Sequence, residues 1–270
     1  LSLGKMKLEP ANCGGDSCYE AIGYLMKKIG DACSAKWAKH AGEPTAMSSS
    51  DLIRVLRTKF SYAGASYVYL TKSGSARDAF GISAFEHLVV PNMLNEKPVV
   101  LSIGNEGSEK IGHCVLADGV RLKNGTFQFH INMGWGGNDD AWCTPPSIGK
   151  YNAINGVGVN IDKSEKTALL AVLAVDDSGS PVKGATLIIN GSARETTNSK
   201  GIATGSGEGT LTVQLSKGSL TTEVRTVTLK YSNESDLSNA FLVFTLTEPE
   251  QLEVPSLVIS HPERSAHAMV

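Results

Sequence analysis

The sequence predicts an α+β region followed by an all-β sandwich, with a change of character near residue 165. Up to about Asp162 the chain mixes helical periodicity with a few strands, and all three tryptophans lie there. Residues 167–246 form short alternating runs rich in Val, Thr, Leu, Gly and Ser, without Cys, Trp or His. The polar segment 161–166 between them is a plausible linker. We therefore predict domains at 1–162 and 167–247, followed by an extended or disordered tail at 248–270.

Composition limits the class of protein. The chain has 270 residues, of which 41% are hydrophobic and 19% charged, so it can bury a core and is neither collagen-like nor wholly disordered. Its 25 Lys+Arg against 27 Asp+Glu give a net charge of −2, which excludes nucleic-acid binding through bulk charge. No apolar run reaches the roughly 18–20 residues of a membrane span, so we predict none.

The chain has five cysteines, an odd number, so they cannot all pair in disulfides within one chain. If the protein is exported, one thiol is left over from disulfides and becomes a candidate nucleophile. Alternatively, all five are reduced and mostly buried as small apolar side chains. The chain begins at Leu1 without a signal peptide, so we expect a mature form, a fragment or a cytosolic protein. The cysteines are Cys13, Cys18, Cys33, Cys114 and Cys143.

Cys18 has the more reactive predicted environment. Ser17 and Glu20 have the spacing of a capping box, and apolar residues follow at helical spacing up to Gly30, the predicted stop. This places Cys18 at the first position of a helix, where the helix dipole and unpaired N–H groups favour a thiolate. Cys13 lies upstream in a loop and lacks this environment. Cys18 is therefore the better candidate nucleophile.

A predicted hairpin carries the other candidate residues. The strand 112–119 places His113 on one face, and Asn124-Gly125 is a hairpin turn signal. The return strand 126–133 leads into a glycine-rich turn, 134–137. An ideal two-residue turn would place His113 opposite Gly136, so pairing His113 with Asn132 needs an offset of about four residues. Further helices are expected near 51–59 and 75–90, and a buried strand at 98–103.

These residues are the parts of a thiol acyl-transfer site: a cysteine at a helix start, then His113 on one strand and Asn132 on the next. The spacing alone is a modest indication. Cys18 could instead form a disulfide with Cys13 or Cys33. His130, two residues before Asn132, is an alternative to His113 as the acid/base. There is no H-E-x-x-H motif and no C-x-x-C pair, so we predict no metal and no cofactor.

The residue types around His113 and Asn132 indicate the protein family more specifically than their spacing does. Segments 112–119 (GHCVLADG) and 129–137 (FHINMGWGG) resemble the streptopain family of papain-like cysteine peptidases, in which a G-H-x-x-x-x-D-G strand precedes an H-x-N-W-G-W-G-G return. The resemblance covers about residues 10–160 and includes segments 97–100 and 151–156. It implies a papain-like fold with Cys18 as nucleophile, His113 as acid/base, Asn132 orienting the imidazole and Trp135 shielding that contact from water.

Four features depart from this family pattern. Met133 replaces the first tryptophan of the return, which removes one aromatic wall beside the site. Cys114 follows the histidine where a small residue is usual, and the match around Cys18 holds only in outline. The segment that the family places before its cysteine is mostly missing, which indicates a truncated or processed chain.

The second predicted domain carries no catalytic pattern. Its order D-x-x-G-x-P-V-x-G-A-x-L, followed by T-x-N-x-x-G, resembles transthyretin-like or carboxypeptidase-regulatory modules. The resemblance implies an immunoglobulin-like sandwich of the kind found beside secreted bacterial enzymes. We expect a stabilising or spacing role in preference to binding, although exposed Thr and Ser faces would also suit contact with a cell surface or a polysaccharide.

The sequence thus predicts a secreted or cell-surface bacterial cysteine endopeptidase that acts on protein or peptide substrates through a thioester. Two alternatives stay open. One is a catalytically silent papain-like surface or adhesion protein. The other is a thiol acyl-transferase that uses the same Cys18–His113 pair.

Overall fold

The computed structural model describes residues 2–5, 16–40, 46–70, 77–79, 81–106, 108–163, 166–234 and 236–247, with the backbone alone at 2–5, 16–22 and 108–111. The predicted tail and Cys13 lie outside these residues. The described helices are α1 (Asp16–Ala32), α2 (Ser49–Lys59) and α3 (Ala84–Leu94). None of them is long and apolar enough to cross a membrane.

The first sheet is built from seven strands in the order β2-β7-β3-β4-β5-β6, and β1 pairs with β4. All of these pairs are antiparallel. The strands are β1 (Ser2–Lys5), β2 (Ser66–Tyr69), β3 (Val99–Asn105), β4 (Ser108–Lys123), β5 (Thr126–Asn132), β6 (Ala141–Cys143) and β7 (Ala153–Val159).

The helices correct three predicted boundaries. Helix α1 begins at Asp16, one residue before the predicted cap, and continues past Gly30 to Ala32. Gly30 is not the stop; a Cβ there would lie 2.3 Å from the Trp37 ring, so this glycine permits close packing. The helix predicted from residue 75 begins only at Ala84, because Ser83 and Glu86 form a reciprocal capping box. Residues 75, 76 and 80 of that prediction lie outside the described residues.

The two faces of this sheet contact different helices. Helix α3 packs into the main hydrophobic cluster together with Ile103 and Val115. Helix α2 packs on the opposite face, where Ile53 meets Val100 and the partly buried Cys114. Because Ile103 is the register partner of His113, the histidine lies on the α3 face of the sheet.

The β4–β5 hairpin closes with the predicted two-residue turn. Asn124 and Gly125 both have positive φ, 50° and 73°, as the favoured hairpin turn requires. A one-residue bulge at Asp118 then shifts the register, so that Asn132 pairs with Leu116. The offset is therefore one residue instead of four, and Asn132 is not the strand partner of His113.

The C-terminal strands form two sheets that face each other across a second hydrophobic cluster. One sheet has the order β11-β8-β15, and the other has β10-β9-β12-β13 with β14 also paired to β12. The strands are β8 (Ala168–Val175), β9 (Thr186–Ile189), β10 (Ser192–Thr196), β11 (Ile202–Gly207), β12 (Gly209–Lys217), β13 (Leu220–Thr221), β14 (Arg225–Leu229) and β15 (Ala240–Thr245).

Strand β8 is buried on both of its faces, which explains its continuous apolar run. Leu170 and Val172 point into the second cluster, between the two C-terminal sheets. Ala171 and Leu173 belong to the main cluster, together with Phe241 of β15 and the side chains of α3. The main hydrophobic core therefore continues across the predicted boundary near residue 165.

Three buried asparagines join the two parts of the chain at this boundary. Asn92 of α3 donates from Nδ2 to Oδ1 of Asn160 over 3.1 Å, and Nδ2 of Asn239 donates to the same oxygen over 2.9 Å. Asn239 Oδ1 accepts from the N–H of Leu169, at the start of β8, over 2.8 Å. All three asparagines are less than 5% exposed, so these bonds form away from water.

Candidate active site

His113 is held by a main-chain carbonyl. It lies half-buried on β4, with its Nε2 atom 2.8 Å from the Met133 carbonyl oxygen. A carbonyl oxygen can only accept, so Nε2 must donate and carry the hydrogen. In the neutral imidazole the Nδ1 atom is then unprotonated and available to take a proton from a thiol.

Two aromatic rings lie nearly parallel to the imidazole. The Trp135 ring centroid is 5.0 Å from that of His113 at an interplanar angle of 17°, and the Tyr151 centroid is 6.2 Å away at 29°. Lys150 Nζ lies 5.6 Å from the centre of the Tyr151 ring. Trp135 is thus beside His113. Tyr151 begins the segment 151–156 of the family resemblance, but no feature of the sequence marks it as a neighbour of His113.

Asn132 does not make the hydrogen bond that was predicted for it. Its Oδ1 atom accepts from the N–H of Gly134 over 2.8 Å, which makes an Asx turn at the end of β5. The contact with the imidazole comes from the Met133 carbonyl instead. The Met133 side chain is buried in the main cluster. Because the Met133 contact is through the main chain, methionine can supply it as well as tryptophan.

Cys18 lies in the first turn of α1. Among the described elements α1 packs chiefly against α2, and α2 covers the sheet face opposite to His113. The described contacts therefore do not bring Cys18 and His113 together.

The cysteines whose side chains are described lack the features of a nucleophile. Cys33, Cys114 and Cys143 are free thiols, which corrects the alternative of a Cys18–Cys33 disulfide. Burial raises the pKa of both the Cys33 and the Cys114 thiol. Cys143 lies on β6 opposite Phe129, far along the sheet from His113.

We expect Cys33 and Cys114 to react slowly with iodoacetamide at pH 7 in the folded protein. Their raised pKa values keep the thiols protonated there, and the reactive thiolate becomes abundant only as the pH rises above the ordinary value of about 8.5. Peptide mapping by mass spectrometry measures each site separately. Fast alkylation of either cysteine at pH 7, without unfolding, would contradict this expectation.

His130 has a different environment from His113. Its Nδ1 atom lies 2.5 Å from Asp118 Oδ1, and both residues are buried. Because Asp118 is the bulged residue of β4, this pair ties the bulge to β5. The Trp142 ring packs edge-on against the imidazole, with 5.4 Å between the ring centroids. His130 therefore contributes to the hairpin register that positions the turn after β5.

Solved structures of low identity resemble parts of the chain. Active interpain A, a cysteine protease of Prevotella intermedia, is 18% identical with a TM-score of 0.44, covering 58% of this chain and 62% of that one. A prointerpain A fragment from the same organism is 19% identical with a TM-score of 0.43, covering 59% and 48%. A streptococcal ancillary pilin is 6% identical with a TM-score of 0.25, covering 58% and 65%. This chain thus spans less than two thirds of each protein.

A search of the curated proteins finds no match. The sequence model of the Peptidase C10 family matches residues 3–143, just over half of the chain. The matched range contains Cys18, the β4–β5 hairpin with His113 and Asn132, and the turn that carries Trp135. On this match, the chain belongs to the Peptidase C10 family.

Proposed function

We propose that the protein is a cysteine endopeptidase that hydrolyses peptide bonds through a thioester on Cys18. The observation that carries the proposal is the state of His113: the Met133 carbonyl holds its Nε2–H, and Trp135 and Tyr151 fix the plane of its ring. A general base needs this kind of orientation, and the chain belongs to a peptidase family.

The reaction uses one proton shuttle. His113 Nδ1 takes the proton of the Cys18 thiol, and the thiolate attacks the substrate carbonyl to give a tetrahedral oxyanion, which backbone N–H groups at the start of α1 stabilise. The C–N bond then breaks as the imidazolium gives its proton to the leaving amine. Water, deprotonated by His113, attacks the thioester, releases the acid and restores the thiol.

Cys18 is preferred as nucleophile over the three cysteines whose side chains the structure describes. Burial raises the pKa of both Cys33 and Cys114, and Cys143 is remote from His113. The backbone of Cys18 lies in the first turn of a helix, where the dipole favours a thiolate. In this proposal Asn132 acts on the turn through Gly134, and Trp135 covers one face of the imidazole.

We also propose that the C-terminal strands form an immunoglobulin-like module that supports the peptidase part, in a secreted or surface-located bacterial protein. The continuous core and the three buried asparagines favour support over a tethered binding role. The alternative of a catalytically silent protein is favoured by one observation: α1 packs chiefly against α2, and α2 covers the sheet face away from His113.

The test is hydrolysis of an unfolded protein, such as reduced casein, followed by mass spectrometry of the products. We expect new carboxyl termini, inhibition by iodoacetamide and no effect of a metal chelator. The His113→Ala variant should lose the activity, whereas His40→Ala, which changes an exposed histidine, should keep it. Products joined to an added amine would indicate an acyl-transferase, and folded but inactive wild-type protein would contradict the proposal.

A further inference from the structure

We propose that Asp140 is a positioning residue for His113 and acts through the peptide groups of Met133. The effect on catalysis rests on the peptidase function proposed above, whereas the effect on His113 itself does not.

The contacts form a short chain. The Asp140 Oδ1 atom accepts from the Met133 N–H over 2.8 Å. The carbonyl of the same residue accepts from His113 Nε2, also over 2.8 Å. A single residue therefore separates the Asp140 carboxylate from the imidazole.

The turn after β5 is rich in glycine, and side-chain hydrogen bonds contribute to its shape. Gly134, Gly136 and Gly137 have φ values of 76°, 66° and 89°, and a Cβ at any of them would meet nothing within 4 Å. Close packing does not constrain these glycine positions, whereas Met133 is held by its buried side chain and Trp135 by its stacking on His113. Hydrogen bonds to nearby side chains restrain the backbone between these points. The side-chain bonds made to it are those of Asn132 to Gly134 N–H, Asn138 to the Trp135 carbonyl and Asp140 to Met133 N–H.

Asp140 is the charged member of this set and the one that binds Met133. A carboxylate that accepts a peptide N–H makes a charge-assisted bond, roughly twice as strong as a neutral one. That bond restrains Met133 at the start of the turn, so the carbonyl stays in line with His113 Nε2–H. It thereby favours the tautomer in which Nδ1 can take the thiol proton.

The neighbouring Asp139 provides a matched control. It lies one residue away in the same turn, is exposed, and makes no hydrogen bond among the described residues. Its φ of 62° is one that asparagine tolerates, so Asp139→Asn removes the same charge without strain. Any effect that Asp140→Ala does not share with Asp139→Asn must come from the lost hydrogen bond and not from the net charge.

The experiment compares Asp140→Ala, Asp140→Asn, Asp140→Glu and Asp139→Asn. The first readout is the tautomer of the His113 ring, from long-range nitrogen–proton NMR of histidine-labelled protein, assigned with His113→Ala. The second is the pair kcat and KM for peptide hydrolysis. Circular dichroism and the thermal midpoint check folding. Because NMR needs no activity, the proposal remains testable even if the protein is not a peptidase.

We expect Asp140→Ala to lower kcat by about 10- to 100-fold with little change in KM, and to raise the Nδ1–H population of His113. Asp140→Asn keeps an acceptor oxygen and should restore both readouts to within a few-fold. If Asp140→Ala does not fold, the Asp140→Glu variant provides the test. It keeps the charge but displaces the carboxylate by one methylene, which should weaken the hydrogen bond to the Met133 N–H. A wild-type tautomer in the Ala or Glu variant, or an equal change in Asp139→Asn, would overturn the proposal.

Discussion

Cys18→Ala is expected to reduce peptide hydrolysis by about a thousand-fold or more while leaving the fold unchanged. The variant removes the atom that forms the thioester, and the loss of a covalent nucleophile typically costs at least this much. The backbone of Cys18 lies in the first turn of α1, and alanine has the highest helix propensity, so the helix should persist in the variant. The initial rate on a quenched fluorescent peptide measures the effect, and circular dichroism checks the fold.

The matched control is Cys13→Ala, which removes a thiol five positions earlier in the sequence. It should keep nearly all of the wild-type rate. An equal loss in the two variants would mean that both cysteines are structural, and it would remove the support for Cys18 as nucleophile. Activity that survives in Cys18→Ala would have the same consequence.

Phe241→Ala is expected to destabilise the whole protein by about 3–5 kcal/mol, the usual cost of deleting a buried aromatic side chain. Phe241 is fully buried, and its ring packs edge-to-face on Phe127 with 5.4 Å between the centroids. Phe127 lies on β5 and Phe241 on β15, so this pair joins the peptidase part to the C-terminal sheets.

Urea unfolding followed by both fluorescence and loss of activity measures this effect. We expect one cooperative transition, shifted to lower urea in the variant, because the main core includes residues from both parts. Val224→Ala is the control, since Val224 is 59% exposed and its loss should change stability by less than about 0.5 kcal/mol. Unfolding of the C-terminal strands alone, with activity retained, would show that the two parts are independent.

The sequence correctly predicts the elements that are determined by neighbouring residues in the chain. The Asn124-Gly125 turn is confirmed because two adjacent positive φ values suit this residue pair. Strand β8 is confirmed from its apolar run. The helix predicted from residue 75 begins only at Ala84, where the capping box of Ser83 and Glu86 fixes its start.

The details of the site depend on contacts that leave no sequence pattern. The partner of His113 is a main-chain carbonyl, which every residue possesses, so the identity of Met133 does not indicate it. Tyr151 reaches the imidazole only because β7 lies next to β3 in the sheet. The bulge at Asp118 shifts the register by only one of the four residues that pairing Asn132 with His113 would need, so Asn132 pairs with Leu116 instead.

The fusion of the two parts also has a non-local cause. The change in composition near residue 165 reflects a change from mixed helices and strands to strands alone. This change in composition does not show that the outer face of β8 is covered by α3 and is not exposed to solvent. Asn92, Asn160 and Asn239 are far apart in sequence, and ordinary polarity scales would place each of them on the surface.

The most direct test of the account is the rate of Cys18 alkylation by iodoacetamide as a function of pH, in the wild-type protein and in His113→Ala. A Cys18–His113 pair predicts fast modification well below pH ~7 in the wild type, because the imidazolium holds a thiolate, and slow modification there in the variant. The Cys33 and Cys114 peptides provide the internal reference for a protonated thiol. Reaction of Cys18 only above pH ~8, or the same profile in both proteins, would show that the pair does not form and would contradict the proposed mechanism.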